Sequence, residues 1–101
     1  MTGREQRIIG HVAAVVGVSP RDLVGHAQGG RQAVYGRRLA AYVLSLDGTA
    51  DYRIADLLGW DMDTVRAGRR MVAAKLGEQW PVRADLGRLA RAFLRPREAV
   101  A

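Results

Sequence analysis

The chain has 101 residues, enough for one domain with a modest core of five or six helices. Its apolar content of 49% excludes wholesale disorder, and the absence of cysteine excludes a disulfide framework or a thiolate metal site. The net charge of +6 and a pI near 11.0 favour an anionic partner, and since Lys75 is the only lysine, nearly all the basic charge is arginine, whose planar fork suits phosphate and guanine.

Thr2 and Glu5 have capping-box spacing, so a helix is expected to start near Gly3. Ile8, Val12, Val15 and Val16 give it an apolar face with His11 near the stripe, and Gly17 ends it. The apolar run is too short and too polar for a signal peptide or membrane span, which points to the cytoplasm. Ser19 and Pro20 start a short second helix, with Leu23 and Val24 pointing inward. The polar loop GHAQGG follows, without the GK[ST] of a nucleotide P-loop. A third helix is expected from about Arg31 to Leu46, with Tyr35, Leu39, Tyr42, Val43 and Leu46 as its core stripe. Arg31 and Arg38 share one face, and Arg37 lies beside them.

The stretch from Asp51 to Leu76 reads as two helices around a tight turn. Asp51 is the expected N-cap of the first, which runs to Leu58, and Gly59 the left-handed stop. Asp61 caps the second. Val65, Gly68, Val72 and Leu76 fall on one face of it, and Met62, Arg66, Arg69, Arg70 and Ala73 on the opposite face. One apolar and one basic face, after a short helix and a turn, outline a helix-turn-helix. A plain solvated face is the alternative. Gly77 then breaks the helix, and Trp80-Pro81 begins the last one, with Leu86, Leu89, Ala90, Phe93 and Leu94 as its stripe and Trp80 as a core anchor. Pro96 stops it, leaving residues 1–95 as the domain and 96–101 as a flexible tail.

Together these segments resemble the C-terminal DNA-binding domain of the bacterial replication initiator DnaA. The likeness covers roughly Ile8 to Leu94. It is carried by IIGHVAAVVGVSPRDLVG, by Arg37 through Val43, by Ile54-Ala55-Asp56-Leu57-Leu58-Gly59, and by Asp61-Met62-Asp63-Thr64-Val65. The resemblance implies an all-α, compact bundle of five to six helices containing a helix-turn-helix. It implies that Arg31 enters the minor groove of duplex DNA. It also implies that Asp61, Met62 and Asp63 meet base edges in the major groove, while Thr64 and Arg70 hold phosphate or sugar. Met62 stands where the family has histidine, Asp63 where it has threonine, and Trp60 where it has arginine. Methionine can touch a thymine methyl and aspartate can accept from cytosine N4, so the target is not expected to be the initiator's own box.

There is no Walker motif and no room for an ATPase module, so the expected role is a stand-alone DNA-binding regulator or a fragment of a longer one. The resemblance extends to transcription regulators such as activators of gene transfer agents. The expected partner is double-stranded DNA, read by Arg31, Arg37, Arg38, Asp61, Met62, Asp63, Thr64, Arg66, Arg69 and Arg70. RNA polymerase or another regulatory protein is a further partner this role allows. No heptad pattern suggests a dimer, so a monomeric domain is expected. The alternative is a protein-interaction module that keeps the fold without DNA reading, for which the acidic pair Asp61 and Asp63 argues. Catalysis, a metal or a cofactor is not expected: His11 and His26 sit in different elements, and no nucleophile has an evident base.

Overall fold

In the computed structural model, which describes residues 1–25, 30–75 and 80–93, the capping box closes as expected. Thr2 Oγ1 accepts from the Glu5 amide at 3.0 Å, and Glu5 Oε1 accepts from the Thr2 amide at 2.8 Å. Helix α1, Gly3–Val16, therefore begins with its first donors satisfied. It ends at Gly17, whose φ of +88° is the left-handed conformation that glycine adopts without strain. Ser19 Oγ accepts from the Arg21 amide, and Pro20–Leu23 makes one 3₁₀ turn that buries Leu23. Helix α2 spans Arg31–Leu46, α3 Asp51–Leu58, α4 Met62–Lys75 and α5 Trp80–Phe93. The described residues are all helix, turn or irregular chain.

Helix α2 is the central element, touching α1, the 3₁₀ turn, α3 and α4. Its buried residues Leu39, Ala40, Val43 and Leu44 join Ile8, Ile9 and Val12 of α1 in one continuous core. Ile54, Leu57 and Leu58 of α3, Val65 and Val72 of α4, and Leu86 and Leu89 of α5 complete it. The small residues on α2 allow close approach: a Cβ built on Gly36 would meet Leu23 Cδ2 at 2.7 Å. The hydroxyl of Tyr35 donates to Asp85 Oδ2 at 2.7 Å and ties α2 to α5. Burial, and then that bond, push the phenol above its ordinary pKa.

Three expectations fail in detail. Leu46 has the spacing of the core stripe but is 54% exposed, because α2 ends there and the chain turns at Gly48. His11, expected at the core or its boundary, is exposed and donates from Nδ1 to the Arg7 carbonyl at 3.0 Å. Asp51 does not cap α3: the N-cap is Ala50, with no side-chain hydrogen bond, and Asp51 is already inside the first turn. The end of the glycine-rich loop from His26 to Gly29, Leu76 and Gly77 lie outside the described residues. So do the side chains of Trp80, Ala90 and Phe93, with Leu94 and the tail.

Candidate nucleic-acid interface

Helices α3 and α4 are joined by Gly59, Trp60 and Asp61 alone. Gly59 has φ +68°, and its amide and that of Trp60 both donate to the Ala55 carbonyl, which reverses the chain in the shortest space. Asp61 Oδ1 accepts from the Thr64 amide at 2.7 Å and caps α4 as the sequence suggests. That bond, followed by the Thr64 hydroxyl, holds the Asp61 carboxyl below its ordinary pKa. Asp61, Met62, Asp63 and Thr64 are all exposed, and the Asp63 side chain reaches 97%.

The opposite face of α4 is packed. Val65, Gly68 and Val72 are buried. A Cβ on Gly68 would lie 3.3 Å from Arg38 Cγ and 3.5 Å from the Trp60 ring, so glycine lets α2, α4 and the turn meet closely. Trp60 is only partly buried and packs against the core. The tryptophan in this turn thus serves packing, a role the sequence alone did not reveal.

The ten candidate residues separate into groups. Arg31 opens α2 and is exposed, whereas Arg38 is half-buried against Gly68; neither bonds to another described residue. Arg37 does not stand on the surface beside them. It is 8% exposed, donates from Nε to the Asp22 carbonyl at 3.1 Å, and places its guanidinium 6.0 Å from the Trp60 ring centroid. The half-buried Arg66 and Arg69 converge on one oxygen, Asp51 Oδ2, at 3.2 and 3.1 Å. Arg69 also donates to Ser45 Oγ at 2.7 Å, and Arg66 Nη1 lies 3.6 Å from Asp63. Arg70 is exposed and bonds to no other described residue. Beside these three arginines a groove of about 200 Å³ opens between α2 and α4, walled also by Tyr42, Ser45 and Leu46.

No family model matches this chain, and neither curated proteins nor solved structures give a match.

Asp51, Ser45 and Tyr42 are the site residues that sequence reasoning missed. The place of Asp51 before an apolar stripe has the look of a cap, but its partners lie 15 and 18 residues further on. No periodic signal encodes such a separation. Among the described residues no group of three or more His, Asp or Glu is placed to hold a metal, and no helix is long and apolar enough to cross a membrane.

Proposed function

We propose that this chain binds double-stranded DNA as a bacterial regulator of the DnaA C-terminal type, with α3 and α4 acting as its helix-turn-helix. The observation that carries the reading is the two-sided character of α4. One face is locked on α2 through Val65, Gly68 and Val72, and the other presents Met62, Asp63, Thr64 and Arg70 to solvent behind a three-residue turn. A helix so held can enter the major groove with its N-terminal residues at base edges. Arg31 and Ser45 sit 14 residues apart on α2, about 21 Å along a helix rising ~1.5 Å per residue. That exceeds half of a ~34 Å DNA turn and suits a second contact in the neighbouring minor groove.

The test is binding to random-sequence duplex at two salt concentrations, followed by selection of preferred sites. The logarithm of the affinity is expected to fall with log salt by about 0.9 for each phosphate contacted. Arg70→Ala should weaken all sequences alike and lower that slope by about one. Arg31→Ala should narrow the gap between preferred and random sites by about 1–3 kcal/mol. A flat salt response would remove DNA as the partner.

A second reading, a protein-interaction module, is favoured by two observations. Asp61 and Asp63 are exposed at the leading end of α4, where they repel phosphate. Asp51 already neutralises part of the basic face through Arg66 and Arg69. Salt-insensitive, unselective binding to DNA together with capture of a basic peptide at this tip would favour it. Neither reading involves catalysis or a cofactor.

A further inference from the structure

The groove between α2 and α4 is unlike the rest of the surface in its chemistry. Its polar wall consists of donors: the guanidiniums of Arg66, Arg69 and Arg70 and the hydroxyls of Tyr42 and Ser45. No carboxylate lines it among the described residues. Asp51 stands behind the wall and offers a single oxygen to two of the three arginines, so positive charge stays in excess. Asp63, the other nearby acid, approaches only Arg66, at 3.6 Å, from a fully exposed position where water screens it. Arg70 and the Tyr42 hydroxyl have no partner among the described residues. Arg69 Nε is buried and unpaired although the same guanidinium is anchored at both terminal nitrogens. Arg69 is thus held in place with its charge only partly compensated, beside a groove wall made of donors.

We infer that this groove is an oxyanion site that takes a phosphate-type group. Its volume of about 200 Å³ lies below the ~300 Å³ at which pockets enclose whole drug-sized ligands, so it receives a charged group and leaves the remainder of the ligand outside. Arg70 and Arg66 supply the closing charges. Arg69, pre-positioned by Asp51 and Ser45, needs no reordering to contribute, which limits the entropy cost of binding. Tyr42 and Ser45 can each donate a hydroxyl proton, since Ser45 Oγ is engaged only as an acceptor from Arg69. The group can come from a DNA backbone or from a free phosphorylated small molecule. The site itself stands whether or not DNA is the partner.

The test is a titration of the ¹⁵N-labelled chain with inorganic phosphate at constant ionic strength, following the arginine Nε–Hε signals and the backbone amides. Saturable shifts of Arg69 Nε–Hε, Arg70 Nε–Hε and the Ser45 amide are expected, with half-saturation at about 1 mM. Arg70→Gln alters an exposed residue without a partner among the described ones, and should weaken binding about tenfold while leaving the α2 amides in place. Ser45→Ala should weaken it less. Uniform, non-saturating drift of all arginine signals, or a titration unchanged by Arg70→Gln, would overturn the site. Adding duplex DNA then separates the sources. If DNA moves the same signals and phosphate competes with it, the group is a backbone phosphate. If DNA leaves them still while phosphate moves them, the natural ligand is a free anion.

Discussion

Glu5 is an acid drawn into the protein, and its environment fixes how stability responds to pH. Arg53 donates to both of its oxygens, at 3.0 and 3.1 Å, and the Thr2 amide adds a third bond. These bonds, the Arg53 contacts foremost, lower its pKa to about 2 from an ordinary value of 4.5. The folded state therefore binds the proton more weakly than the unfolded chain. The Glu5 contribution is complete above about pH 4.5 and disappears as pH falls toward 2. Urea unfolding across that window should show the loss. Glu5→Gln should flatten it and cost about 1–2 kcal/mol at pH 7, since Arg53 is still partly solvated. Two glycines make a paired test of packing. Gly10 lies inside α1 with open space where a Cβ would go, so Gly10→Ala should stabilise by about 0.5–1 kcal/mol. Gly36→Ala has the same helix-propensity gain but drives a methyl into Leu23, whose side chain is fully buried. Overpacking of about 1–3 kcal/mol should outweigh the gain, making it destabilising in thermal melts.

At the scale of elements, α3 is the dependent one. Eight residues do not sustain a helix alone in water. It is held by apolar packing of Ile54, Leu57 and Leu58, by Arg53 to Glu5 of α1, and by Asp51 to Arg66 and Arg69 of α4. Asp51→Asn removes the charge that both arginines share. It should lower stability by about 1 kcal/mol, some 4–8 °C in Tm. Hydrogen exchange should quicken in α3 while the central α2 stays protected. The helix boundaries were legible in the sequence because caps and glycines are local signals: the Thr2–Glu5 box, Gly17, Gly59 and the span Arg31–Leu46 all lie where the residues place them. What periodicity could not supply was the identity of each charged partner. Arg37 lies next to Arg38 in sequence, yet a single step around the helix turns it toward Asp22 and Trp60. Leu46 fits the apolar stripe but falls at the last turn, where no described element covers it.

At the scale of the whole molecule, the basic groups among the described residues are distributed rather than pooled. Arg31 stands at one end of α2, and the three groove arginines gather beside Ser45 and Leu46 at the other. A ligand meeting both must span the length of that helix, as a duplex does and a small molecule does not. On the proposed DNA-binding reading, binding of short duplexes should therefore fall sharply once they are shorter than about one turn, ~10 base pairs, and a gel-shift length series would detect the step. The exposed start of α4 has a consequence of another kind. Met62 and Asp63 are both exposed, and the Asp63 side chain approaches Arg66 only at 3.6 Å, screened by solvent. Changing either should move stability by no more than about 0.5 kcal/mol. On the proposed reading, the two positions set to meet base edges are thus ones the fold can readily surrender to mutation. A lineage carrying this scaffold could acquire new targets by substitution there without first passing through an unstable intermediate.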